Sequence, residues 1–227
     1  KKKKKGIKIK STQWVKNFNE IVKNEKVDII VELIGGSEGP AKKLVFAALK
    51  NKKHVVTANK ALISKYGDQL AKIAENNKVN LEFEAAVCGG VPIIRSIKEG
   101  LIANKISRIY GIFNGTSNYV LSSMANNQTS FNDTINKAIK LGYAESNPSS
   151  DINGDDVASK VKILSCLSFN SYINKDIHVE GIKNIDEEDI INTNKLGYKI
   201  KLMGFSEISN NKIFQRVHPT LVKNTSY

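Results

Sequence analysis

The sequence predicts an α/β protein: a partial doubly wound parallel sheet over residues 1–88, then an α+β substrate domain over residues 89–227. Three observations carry that prediction. Short apolar runs alternate with helix-like segments as far as Phe83, the alternation breaks at a glycine-rich turn after Glu84, and the second half mixes long helices with isolated strands. Val27 to Leu33 (VDIIVEL) is almost continuously apolar, as expected of a strand in a parallel sheet covered on both faces, and Gly35-Gly36 follows it. Pro40 then stands in the first turn of a helix whose apolar side is Leu44, Ala47 and Ala48. His54 to Thr57 (HVVT) is a second strand. A helix passes through Leu70, Ile73 and Ala74, and Val79 to Phe83 (VNLEF) is a third strand.

Beyond the break, Gly89-Gly90-Val91-Pro92 leads into a helix with Pro92 in its first turn and Ile93, Ile97 and Leu101 as one stripe. Ile106 to Phe113 reads as a strand. Thr116 to Met124, Phe131 to Ile139 and Asp155 to Phe169 read as helices, and the mixed tail after Val179 contains a strand at Lys212 to His218.

Composition excludes several classes. The formal charge is +13, but five of the lysines are Lys1 to Lys5 and the rest are dispersed, with only three arginines. Readers of nucleic-acid bases use arginine and a compact basic face, so nucleic acid is not the expected partner. No apolar run approaches the roughly 18 residues of a membrane span, and no segment has the pattern of a signal peptide. A cytoplasmic protein is expected. Cys88 and Cys166 stand far apart without a CxxC, and three scattered histidines complete the set, so neither a disulfide framework nor a zinc site is indicated.

A dinucleotide-binding sheet opens with a strand running into GxGxxG, and that motif occurs nowhere in the 227 residues. The chain is therefore expected to begin inside the sheet, as a fragment lacking the first βαβ unit, or else to bind no dinucleotide. Thr57-Ala58-Asn59-Lys60 favours the fragment, because ligands of such sheets sit beyond the carboxyl ends of the strands and this polar cluster stands there.

The most informative stretch is Gly142 to Lys160, GYAESNPSSDINGDDVASK. Glu145, Asp151, Asp155 and Asp156 crowd a segment punctuated by two turn signals, Asn147-Pro148 and Asn153-Gly154. On composition alone this reads first as a solvated acidic loop. Asp156 and Lys160, four residues apart, share one side of the predicted helix, with Ile163 and Leu167 below them and Val157, Val161 and Leu164 beside them. So apolar a helix is buried, and the pair at its first turn faces either a cleft, where a lysine serves as acid or base, or open solvent as an ordinary surface pair.

With Ala138, that stretch resembles the signature of homoserine dehydrogenases. The resemblance extends over nearly the whole chain, through VDIIVELIGG, HVVTANKALIS, EAAVCGGVPIIRSI, GIFNGTSNYVL, VEGI, LGYKIKLMG and RVHPTLV. It implies a Rossmann-type cofactor domain and the NADH- or NADPH-dependent interconversion of L-aspartate 4-semialdehyde and L-homoserine, on the route to threonine, methionine and isoleucine. The partner implied is a small molecule, and the full-length family protein is a homodimer whose strands continue beyond HPTLV.

By position, the resemblance makes Lys160 the general acid and Asp156 the residue that orients it. Glu145 and Asp151 are similar to the acidic contacts of the substrate's ammonium, which an anion suits in a partly dried cleft. Lys60 resembles the lysine beside nicotinamide and substrate, and Ile34, Gly35 and Thr57 resemble cofactor-lining positions. The main-chain oxygens of Glu84, Val87, Gly89 and Val91 resemble a sodium or potassium site, although Gly89-Gly90 equally permits close backbone packing. Asn114-Gly115-Thr116 is similar to a turn at the substrate pocket. A binding protein that keeps this fold without turnover is the alternative from another functional class.

Overall fold

A computed structural model describes residues 15–127, 129–173 and 176–226. Lys1 to Lys5 lie outside them. After a short helix α1 (Phe18–Val22), three strands form an all-parallel sheet in the order β1-β2-β3: β1 (Ile29–Glu32), β2 (His54–Thr57) and β3 (Leu81–Glu82). Helix α2 (Pro40–Lys50) connects the first pair and α3 (Lys60–Asn77) the second. Pro40 opens α2, whose buried residues Ala41, Leu44, Val45, Ala48 and Leu49 recur at helical spacing and face the sheet. The strands are shorter than expected from sequence, because pairing covers only four residues of VDIIVEL and two of VNLEF.

One expectation for β1 fails. Ile30 and Glu32 are buried, whereas Ile29 and Val31 are 57% and 60% exposed, so only one face of the strand is covered among the described residues. The helices lie on the Ile30 side, and the other face stays open.

A 3₁₀ turn (Glu84–Ala86) leads to α4 (Ile93–Arg95), which widens at once into a π turn over Ser96–Gly100. That widening overturns the expected stripe. Ile94 and Ile97 are the buried pair, and Leu101 is exposed, because a π turn advances each side chain through a smaller angle than an α-helix does. Pro92 is the N-cap of α4, one position before the first turn. Next come β4 (Arg108–Gly111), α5 (Gly115–Asn127), α6 (Phe131–Lys140), α7 (Ser149–Ile152), α8 (Asp155–Phe169), β5 (His178–Val179), α9 (Glu187–Lys195), β6 (Tyr198–Ser209) and β7 (Lys212–Lys223).

These strands make a second sheet in the order β4-β6-β7-β5. Its centre is a hairpin of two 12-residue strands joined by Asn210-Asn211, both at positive φ as a two-residue hairpin turn requires. The sequence reading omits β6 and stops β7 at His218; the strand continues to Lys223. Helix α8 joins the halves. Ile163 and Leu164 pack with Ile30, Val55 and Leu62 of the first half, and Val157 and Val161 pack with Leu202 and Val217 of the second. It lies directly on β6 at Gly204, where a Cβ would collide with Val161 Cγ2 and come within 2.9 Å of Phe113 and Val157.

Candidate active site

The first turn of α8 carries the densest polar cluster. Gly154, in the left-handed region at φ 86°, turns the chain into the helix, and a Cβ there would press on Val179 and Val217 at 3.1 and 3.2 Å. Asp156 follows, with its side chain 5% exposed. Its Oδ2 accepts from Lys160 Nζ at 2.7 Å and from Asn114 Nδ2 at 2.8 Å, and its Oδ1 pairs with Lys60 Nζ at 2.9 Å. One carboxylate thus holds two lysines from opposite halves of the chain. Burial opposes the charge on Asp156, but the bonds from Asn114, Lys160 and Lys60 outweigh it and hold the carboxyl below its usual range.

Lys160 is only 14% exposed and donates also to the Phe113 carbonyl at 2.6 Å. The main chain after β4 and the carboxylate on α8 therefore fix its ammonium from two directions. Asn114 ties this cluster to the acidic segment: the same amide nitrogen donates to Asp151 Oδ1 at 2.7 Å, while its carbonyl oxygen accepts from Ser117 N–H and starts α5. Glu145 is exposed and makes no hydrogen bond or ion pair with another described residue. Its loop is pinned to α5 by the stack of Tyr143 on Tyr119 and by Thr116 Oγ1, which donates to the Tyr143 carbonyl at 2.8 Å.

A second feature opens at the carboxyl ends of β1 and β2, where Leu33, Ile34, Gly35, Ala58 and Asn59 line a shallow cleft. Gly35 and Gly36 have φ near 80°, and a Cβ on either would meet nothing within 4 Å, so the main chain is open to a flat or extended ligand. The cradle offers open main chain to one end of a dinucleotide. The Thr57 side chain does not line it: Thr57 is buried and its hydroxyl donates to Glu32 Oε2 at 2.6 Å. Sequence reasoning misses Glu32, although a lone acid at an inward position of an apolar strand was the available signal. It is completely buried, and Ile34 and Gly35 N–H groups donate to its Oε1. Burial works against its ionisation, and the bonds from Thr57 and the two amides still keep its carboxyl below the usual range.

The turn from Glu84 to Val91 holds the four residues of the expected cation site. Among the described residues, the Val87 and Gly89 carbonyls accept no hydrogen bond, while Glu84 O accepts weakly from Val87 N–H at 3.4 Å and Val91 O from Ile93 N–H at 2.8 Å. Each of those two retains a lone pair, so all four oxygens have acceptor capacity to spare. The Glu84 carboxylate is otherwise engaged, capping α4 at the Ile94 and Arg95 amides. No three His, Cys, Asp or Glu side chains among the described residues could hold a metal together. Neither thiol is activated, since burial pushes Cys88 up and Cys166 up to about 11.

A parallel sheet with a glycine cradle at its carboxyl edge, joined to an α+β unit that carries a lysine-paired carboxylate, is the architecture of a dinucleotide-binding fold coupled to a second domain. The family model "Homoserine dehydrogenase" matches residues 92–227 and "Homoserine dehydrogenase, NAD binding domain" matches residues 1–84. The chain belongs to the homoserine dehydrogenase family. It is 46% identical over 213 residues to the homoserine dehydrogenase of Neisseria gonorrhoeae, covering 93% of this chain and 49% of that protein. Against that of Bacillus subtilis the identity is 40% over 204 residues, covering 89% and 47%. The chain spans about half the length of these relatives. The solved homoserine dehydrogenase of Thiobacillus denitrificans superposes with a TM-score of 0.90 at 45% identity, covering 93% of this chain and 49% of that one. A hyperthermophilic archaeal homoserine dehydrogenase in complex with NADPH does so with a TM-score of 0.77 at 29% identity, covering 92% and 60%.

Proposed function

We propose that the protein containing this chain interconverts L-homoserine and L-aspartate 4-semialdehyde with NAD(P)(H), as a cytoplasmic homodimer. The observation that carries the reading is the Lys60–Asp156–Lys160 arrangement beside an open glycine cradle. When bound, NAD(P)H supplies the hydride, and Ile34, Gly35 and the main chain near Thr57 would hold it. In the reducing direction the aldehyde oxygen takes its proton from Lys160 Nζ, which the Phe113 carbonyl and Asp156 keep aimed. In the oxidising direction the same nitrogen receives the hydroxyl proton. Asp156 stays ionised throughout, so it steadies the charged lysine without competing for the proton. Lys60 adds a second cation near the developing oxyanion, a form of stabilisation that is usually the largest catalytic term.

Glu145 and Asp151 are the anions available for the substrate's ammonium. Glu145 is free to make that pair, and Asp151 still has acceptor capacity beyond its bond from Asn114. The Glu84, Val87, Gly89 and Val91 carbonyls would hold a sodium or potassium ion that stiffens the turn under the site. The deciding measurement is steady-state kinetics on the intact protein. Lys160→Ala should depress turnover by about 10²–10⁴-fold while the NADPH dissociation constant stays near its original value. Near-normal turnover would remove Lys160 from the mechanism.

A further inference from the structure

Glu32 touches neither reactant in the reading above, yet its carboxylate meets both parts of the site at once. Oε1 takes the Ile34 and Gly35 amides, at 2.6 and 3.0 Å, on one side. On the other, Oε2 takes the Thr57 hydroxyl proton at 2.6 Å. Because that hydroxyl donates to Glu32, its own lone pairs are free, and the Asn59 N–H donates to one of them at 3.0 Å. Asn59 is the N-cap of α3: its side-chain Oδ1 accepts from Leu62 N–H at 3.0 Å, and its side-chain Nδ2 donates to the Gly36 carbonyl at 2.8 Å. The next residue is Lys60, whose ammonium reaches Asp156.

We infer that Glu32 is a positioning residue with two arms, one setting the Ile34–Gly35 cradle and the other, through Thr57 and Asn59, setting the start of α3 and so the ammonium of Lys60. Only an acceptor with four lone-pair directions serves both arms. An ionised carboxylate donates nothing, so every group around it must donate, and this fixes the sense of the Thr57 hydroxyl. Replace Glu32 by Gln and the two demands part. The amide oxygen can still serve the two main-chain N–H groups, which cannot turn round, but the amide nitrogen then faces Thr57 and donates to its oxygen. The hydroxyl must turn to accept from the new donor beside Asn59 N–H, and the Thr57 proton is left without an acceptor in a buried position. The defect is directed at the Lys60 arm.

The inference rests on the dehydrogenase reading for its kinetic consequence and on geometry alone for its structural one, so the test reads both. In the intact protein, compare Glu32→Gln, Thr57→Val and Thr57→Ser by main-chain amide exchange, NADPH titration by fluorescence, and homoserine oxidation. Glu32→Gln and Thr57→Val should speed exchange over residues 59–62 and lower turnover by about tenfold to a hundredfold, the scale expected when a reacting group is misplaced by about 1 Å. The NADPH dissociation constant should move far less, and Thr57→Ser, which keeps the hydroxyl, should match the unaltered protein in exchange and turnover where Thr57→Val does not. Glu32→Ala, which removes both arms, should also speed exchange at 34–36 and weaken NADPH binding; where it does not fold, the isosteric pair still decides. Unchanged exchange at 59–62 in Thr57→Val overturns the inference, as does loosening spread evenly over the molecule. Were the unaltered protein inert toward homoserine, the function would be wrong while the exchange pattern still judged Glu32.

Discussion

At the level of single residues, the decisive property of the site is that one buried carboxylate serves three donors. Asp156 has a depressed pKa in the folded protein, so it contributes stability that is fully present above its ordinary value of 3.8 and is lost as pH falls through the lower folded value. Glu32 is depressed below 4.5 and acts with the same sign. Acid unfolding below about pH 4 should therefore be less pH-dependent in Asp156→Asn than in the original protein, a difference that denaturation curves at a series of pH values would measure. At neutral pH the same substitution leaves two lysines sharing a neutral amide, and turnover should fall sharply with it. Glu145→Gln is a contrasting case. Its side chain is exposed and unpaired among the described residues, so the apparent affinity for homoserine should drop with stability and NADPH binding unchanged, and movement of the cofactor constant alone would show that Glu145 has been misplaced.

Among elements, α8 depends on how closely it can approach β6. Gly204→Ala places a methyl group against Val161 Cγ2, and overpacking of this kind costs about 1–3 kcal/mol, to be read from urea unfolding. Turnover should fall more than in a surface variant of equal stability, because lifting α8 draws Lys160 away from the Phe113 carbonyl. The same closeness explains what could be read from the chain in advance. Helix α8 was legible to the residue, since Asn153-Gly154 breaks the chain before it and its apolar residues keep helical spacing through Leu167. Strand β6 was not. Its inward positions Gly204 and Ser206 are small because a helix lies on them, and small residues erase the alternation that marks a half-buried strand. The π turn after Arg95 escaped for another reason, since nothing in local composition announces a change from four- to five-residue hydrogen bonding. Within the site, the Asp156–Lys160 pair follows from i,i+4 spacing, while the link to Lys60 exists only once the two halves are packed.

Across the whole molecule, the open face of the first sheet and the junction between the halves govern behaviour. Ile29, Val31 and Val56 present an apolar strip with β1 as an edge strand, uncovered among the described residues. The 227-residue chain expressed alone should self-associate, and Ile29→Lys with Val31→Lys should reduce that in sedimentation runs without altering helix content. The junction matters differently for anyone recombining relatives to change coenzyme preference. A crossover between residues 84 and 92, where the two family matches meet, looks like a clean boundary between modules. It divides the polar cluster instead: one parent contributes Lys60, the other Asn114, Asp156 and Lys160. Under the proposed function a hybrid inherits its proton chemistry from both parents, and it should work only where the incoming α3 delivers its first lysine to the recipient's aspartate.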